Sequence, residues 1–188
     1  VYMAKAKEYY DIISHKNNLS WINHKYFKRT LKQQLNKDCA TLIDMLKLCG
    51  NWNADNDQKL IELRDMLQKR HADDKVLVFT QYSDTAKYVY RHLKRMGVEK
   101  IACVTGGSQN PTSIVEHFSP LSNEKNYSID EQYRVLIATD VLSEGQNLQD
   151  SHVITNFDLP WAIIRLIQRA GRVDRIGQQH PVTAFNML

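Results

Sequence analysis

The chain of 188 residues is 43% hydrophobic and 24% charged, with a formal net charge of +4, which is enough to bury a core and points to one domain with at most an appendage. It contains no run near the roughly 18 apolar residues of a membrane span and no secretory signal order, so a cytoplasmic protein without membrane partners is expected. Cys39, Cys49 and Cys103 are odd in number, far apart and without a CxxC pair, and the seven histidines form no HExxH, so neither a disulfide framework nor a structural metal is expected.

The sequence opens on Val1 rather than Met, as expected of a fragment of a longer protein. Residues 1–70 carry 13 Lys+Arg against 8 Asp+Glu, and residues 71–188 carry 12 against 13. The basic excess is densest from Lys16 to Lys37, where Lys16, Lys25, Lys28, Arg29, Lys32 and Lys37 occur without an acid and with Trp21, Tyr26 and Phe27 between them. That mixture suits phosphate neutralisation with base stacking. The solvated face of an amphipathic helix is the commoner use of such a run.

These first residues hold no proline and only Gly50, and predict helices over about 3–15, 19–49 and 57–70. A helical region 1–72 is therefore expected to lead into a domain over 73–188. There the texture becomes strand–helix alternation. KVLVFTQ (75–81) reads as a strand buried on both faces, and Ser83 as the cap of a helix ended by Gly97. KIACVTGG (100–107) is a second strand, Pro111 opens a short helix, and 119–132 reads as a loop. YRVLIATD (133–140) and SHVITNFD (151–158) are the third and fourth strands. A helix follows over about 161–175, Trp161 reads as packing at its start, and PVTAF (181–185) begins a fifth strand. The expected fold is α/β, a parallel sheet flanked by helices. Ligands should then meet the loops at the strands' carboxyl ends, 81–83, 105–108, 139–147 and 156–161.

The stretch QRAGRVDRIGQ (168–178) is the most pointed feature. Projected on a helix, Ile163, Leu166, Ile167, Ala170 and Val173 share an arc expected to pack on the sheet. Gln168, Arg172 and Arg175 fall on the opposite arc with Arg165 nearby, and Arg169 lies at the border. Gly171 opens space beside the stripe. By itself the stripe fits a bound phosphate and a salt-bridged surface equally.

QRAGRVDRIGQ resembles motif VI of superfamily-two helicases and translocases, Q/H-R-x-G-R-x-x-R, and its RIGQ ending resembles the Swi/Snf-related branch. VLIATDVLSEGQNLQDSHVITNFDLPW (135–161) resembles motif V and its extension, and KVLVFTQYSDTAKYV (75–89) resembles motif IV. The three stand in the family's order. Gly171 and Asp174 depart from the DRAHRIGQ of eukaryotic remodellers, which favours a bacterial or archaeal branch.

The resemblance implies the second, C-terminal RecA-like lobe of an ATP-dependent, DNA-stimulated enzyme. No GK[ST] loop is present, and DEQY (130–133) does not follow an apolar strand. ATP and its Mg2+ would be held by a first lobe outside this sequence, and the isolated chain is expected to be monomeric and inactive. By matching position, Arg172 and Arg175 would be arginine fingers, with Gln168, Asp140 and Gly145 near the nucleotide or the lobe interface. Gln81, Thr105, Gly106, Thr139 and Asn147 would contact the backbone of DNA, in duplex form. The competing expectation is a non-catalytic nucleic-acid or protein interaction module that keeps the fold.

Overall fold

The computed structural model describes residues 2–16, 19–20, 22–50, 53–142 and 147–188. The chain divides into two compact units, Val1–Trp52 and Asn53–Leu188. No helix among the described residues is long and apolar enough to cross a membrane.

The first unit contains helix α1 (Tyr2–Ser14) and helix α2 (Leu31–Cys49). The single helix expected over 19–49 is broken: a 3-10 turn occupies His24–Tyr26, and α2 begins only at Leu31. Asn23 explains the break, because its side-chain oxygen accepts the Lys25 N–H at 3.1 Å and holds the chain out of helical geometry. The residues of α2 are half-buried or exposed throughout.

The second unit contains five parallel strands: β1 (Val76–Thr80), β2 (Ile101–Val104), β3 (Val135–Thr139), β4 (Val153–Asn156) and β5 (Thr183–Asn186). Their order is β2-β3-β1-β4-β5. The helices are α3 (Gln58–Asp65), α4 (Ser83–Arg95), α5 (Pro111–Phe118) and α6 (Ile163–Ala170), and a π turn, Met66–Arg70, extends α3. Strand alternation sends the side chains to two apolar layers. Val76, Val78, Val135 and Ile137 join Leu60, Leu63, Leu67, Val89 and Leu93 on one face. Leu77, Phe79, Leu136 and Ala138 join Val115, Phe118, Leu148 and Val173 on the other. Both faces of β1 and β3 are covered, so those two strands read as nearly continuous apolar runs, whereas the edge strand β5 is mostly exposed.

Two local differences from the sequence reading have simple causes. The compact unit begins at Asn53 rather than at 73, because Leu60, Leu63 and Leu67 are fully buried against the sheet. Asp57 starts that helix, its carboxylate accepting the Leu60 N–H at 3.1 Å. Ser83 is the first residue of α4 rather than its cap; Tyr82 precedes it and makes no capping bond through its side chain.

Candidate functional site

The central strand β1 lies between β3 and β4, and the chain crosses from one side of β1 to the other between β3 and β4. Such a reversal opens a crevice at the carboxyl ends of the strands. Thr80, Thr139 and Asn156 end the three strands there. Asp158, two residues beyond β4, closes one side: its carboxylate accepts the Thr80 hydroxyl and the Gln81 N–H, the latter at 2.9 and 3.1 Å. The Gln81 side chain donates to the Leu159 carbonyl at 3.0 Å. Backbone and side chain of Gln81 are thus both tied to the exit of β4.

Arg169 sits at the centre of the crevice and is only 2% exposed. Its Nε donates to Asp140 Oδ1 at 2.7 Å and its Nη2 to Asp140 Oδ2 at 3.2 Å. Its Nη1 donates to Asn156 Oδ1 at 3.0 Å and to the Asp158 carbonyl at 3.3 Å. The guanidinium lies 5.2 Å from the centre of the Phe79 ring, within range of a cation–π contact. A buried guanidinium needs this density of acceptors, since an unpaired charge there is strongly unfavourable.

This anchor corrects the expected facing of the arginine helix in part. Leu166, Ala170 and Val173 keep the inward side expected of them, and Arg169 joins them there. Ile163 and Ile167, expected on the sheet, are 73% and 62% exposed. Trp161, expected to pack, is fully exposed. The helix is also shorter than 161–175: α6 stops at Ala170, and Gly171 begins a series of tight turns. The Arg172 and Val173 N–H groups donate three residues back, to Arg169 and Ala170, at 3.2 and 3.0 Å. A side chain at Gly171 would press on the Ile167 carbonyl at 3.3 Å, so the glycine serves this close turn.

A cleft of about 280 Å³ opens over this anchor, lined by Asp140, Leu142, Arg165, Gln168 and Arg172 above Phe79 and Arg169. Arg165 reaches Asp140 at 3.4 Å. Among the described residues Arg172 forms no ion pair, so it is a half-buried cation facing the cleft. The structure therefore brings Asp140, Gln168 and Arg172 together. Arg175 stands apart: its Nε donates to the Gly171 carbonyl at 3.2 Å, and it lines a separate depression with Gln149, Asp174 and Ile176.

The remaining expected residues divide likewise. Thr139, at the end of β3, buries a hydroxyl that has no hydrogen-bond partner among the described residues. The same holds for the Asn147 side-chain oxygen. The Asn147 amide donates to the Ser122 carbonyl at 3.1 Å, and Asn123 donates to the Asn147 carbonyl at 2.8 Å. The 119–132 loop, without an assigned role in the sequence, thus holds the segment after β3. Asp150 completes that hold by accepting the N–H groups of Leu121 and Ser122 at 2.9 and 2.8 Å and the Ser122 hydroxyl. Thr105 and Gly106 follow β2, where the Thr105 N–H donates to Ser108 at 2.9 Å. Space for a side chain exists at Gly106, with Val141 at 3.6 Å. Gly145 lies outside the described residues.

Arg169 and Asp150 are the side chains that position the site and that sequence reasoning passed over. No local signal marks either one. Arg169 looks like its neighbours until β3 delivers Asp140 beneath it, and Asp150 looks like one more loop carboxylate until 121–122 folds over it.

Comparison with known proteins bears on this arrangement. Residues 58–177 match the family described as the helicase conserved C-terminal domain. The chain is 34% identical over 132 residues to the uncharacterized ATP-dependent helicase YqhH of Bacillus subtilis, covering 69% of this chain and 21% of that protein. It is 33% identical over 130 residues to the DEAD-box ATP-dependent RNA helicase 35A of Oryza sativa subsp. japonica, covering 69% and 19%. With the RNA polymerase-associated protein RapA of Stutzerimonas stutzeri it shares 37% identity over 126 residues, covering 65% and 12%. The chain thus spans about a fifth or less of the length of these relatives. The crystal structure of the C-terminal part of the Fun30 ATPase domain superposes with a TM-score of 0.57 at 19% identity, covering 81% of this chain and 48% of that one, a likeness of fold.

Proposed function

The chain belongs to the helicase conserved C-terminal domain family, and from that premise we propose that it is the second RecA-like lobe of a DNA-stimulated ATPase of the Swi/Snf-related branch. Its parent would track nucleic acid, in the cytoplasm, in a bacterial or archaeal cell. The observation that carries the reading is the Arg172 guanidinium, in no ion pair among the described residues, beside Gln168 and Asp140 in a cleft at the carboxyl edge of the sheet.

The residues present fit a polyphosphate. Arg169 is saturated by protein acceptors, whereas Arg172 is half-buried, fixed in a tight turn and, among the described residues, in no ion pair. A guanidinium so placed binds phosphate oxygens through paired N–H donors. ATP, when bound with Mg2+ by the first lobe, supplies the phosphoryl group that is transferred to water. Arg172 then stabilises charge on the phosphoryl oxygens, a contribution that reaches roughly 10³ to 10⁵ in related enzymes. Arg175 shares that role once a first lobe closes over the turn that carries it. Gln168 and Asp140 orient the cleft, with Gly145 on the same segment. On the strand-end loops, Gln81, Thr105, Gly106, Thr139 and Asn147 would meet the nucleic-acid backbone, Gln81 and Asn147 through the amide hydrogens left over from their bonds to Leu159 and Ser122, in contacts that carry no sequence information. The Thr139 hydroxyl, buried and without a partner among the described residues, supports that assignment, since such groups are rare unless a partner completes them.

The test is ATP turnover by the full-length protein, with duplex DNA and with RNA, for wild type, Arg172→Ala and Arg175→Ala. Turnover should rise with DNA and fall at least about 100-fold in Arg172→Ala while ATP binding persists. Unchanged turnover in that variant would refute the finger role. Stimulation by RNA alone would replace DNA as the partner.

A further inference from the structure

We propose that the first unit carries a second nucleic-acid site, a groove that takes an unstacked single strand. This inference is independent of the ATPase reading, because it rests on residues outside the lobe. The chain turns at His24–Tyr26, where Asn23 fixes the Lys25 N–H, and turns again where the Leu31 N–H donates to the Lys28 carbonyl at 3.0 Å. Those two turns fold the basic segment onto the first turns of α2. The result is a groove of about 800 Å³.

Its lining mixes cations with apolar side chains. Lys25, Lys28, Arg29 and Lys32 line it together with Phe27 and Leu35. No acid occurs between residues 16 and 37, and none of these four cations forms an ion pair among the described residues. Four like charges around one concavity repel one another, and a polyanion relieves that repulsion with release of its counterions. The aromatic groups choose between polyanions. Phe27 is 47% exposed and Tyr26 74% exposed. Such rings stack on bases that a single strand leaves open and a duplex hides. An acidic peptide would use the cations and leave the rings idle.

Binding of a labelled single-stranded DNA 20-mer to the 188-residue chain, without ATP, tests the proposal. Variant Lys28→Gln/Arg29→Gln/Lys32→Gln is compared with Arg91→Gln/Lys94→Gln/Arg95→Gln, which removes the same charge from exposed positions of α4. Circular dichroism checks that each variant is folded, and any contribution from the lobe is the same in wild type and in the groove variants, while the α4 variant measures how much the lobe's own charge contributes. Four displaced phosphate counterions at about 0.7 per contact predict that affinity falls roughly 50-fold between 50 and 200 mM salt. The groove variant should lose most of that salt dependence and the α4 variant little. Phe27→Ala, which keeps every charge, should weaken binding at least about five-fold. Equal losses in the two triple variants would mean generic charge attraction and overturn the site. Unchanged binding by Phe27→Ala would overturn the single-strand assignment. Displacement of the DNA by polyglutamate at equal charge concentration would assign the groove to an acidic protein instead.

Discussion

Arg169 and Asp140 form a two-pronged ion pair, Nε to Oδ1 at 2.7 Å and Nη2 to Oδ2 at 3.2 Å, that ties helix α6 to the end of strand β3. The two partners are unequally buried: the Arg169 side chain is 2% exposed and that of Asp140 29%. Removing either should therefore have unequal effects. Asp140→Ala leaves a buried cation with only Asn156 and a backbone carbonyl, and should destabilise by about 3–5 kcal/mol. Arg169→Met leaves a partly solvated carboxylate with Arg165 still at 3.4 Å, and should cost less, about 1–3 kcal/mol. Urea denaturation of the two variants measures the order, and a larger loss for Arg169→Met would contradict the asymmetry.

Leu63 on α3 should weigh as much as a central strand residue. It is fully buried in the layer that also holds Val76 and Ile137, so Leu63→Ala should cost about 2–5 kcal/mol, in the same range as Leu136→Ala. Thermal or chemical unfolding of both variants checks this. A loss under about 1 kcal/mol at Leu63 would mean that 53–72 is an appendage of the lobe.

Asp150 should control the 119–132 loop. Its carboxylate accepts three donors from Leu121 and Ser122 and lies 3.7 Å from Lys75 Nζ. Burial, the larger influence, lowers the Lys75 pKa, and the nearby Asp150 carboxylate opposes that shift. Asp150→Ala removes both the loop's acceptor and the anionic partner of that half-buried amine, which keeps its bond to Gln132 at 2.9 Å. We predict faster hydrogen exchange at the Leu121 and Ser122 amides and a loss of about 1–3 kcal/mol. Unaltered exchange at both amides would show that the loop is held by other contacts.

The cysteines should differ sharply in reactivity. Cys39 and Cys49 are exposed, whereas Cys103, on β2, is half-buried and its thiol is pushed up to about 11, mainly by burial and despite the opposing influence of Lys87. Only the thiolate reacts with an alkylating agent. At pH 8 about one Cys103 in a thousand is ionised at that pKa, so iodoacetamide should label Cys39 and Cys49 first. Labelling of Cys103 should rise about tenfold per pH unit up to pH 10, while the chain stays folded. Mass spectrometry of tryptic peptides reads the order, and early labelling at Cys103 would contradict the burial of β2.

The sequence by itself determined the parallel strands, because a strand covered on both faces must be nearly all apolar, as VLVFT and VLIAT are up to the threonine that ends each. It also pointed to the carboxyl ends of the strands, where the segments after β1, β3 and β4 flank the cleft, because all strand ends in such a sheet face the same side. The motifs from 75 to 178 determined the family, since matched residues in order carry more information than any single spacing. Tertiary structure alone decided which arginine is buried. Helical periodicity ranks residues by polarity and puts a guanidinium outside, but Asp140, Asn156 and Asp158 arrive from other strands and make the inside the better place for Arg169. Once Arg169 turns inward, Ile163 and Ile167 must turn outward, and Gly171 ends the helix so that Arg172 faces the cleft and Arg175 does not. Interactions across 11 to 29 residues of sequence separation settle that choice, and no local pattern encodes them.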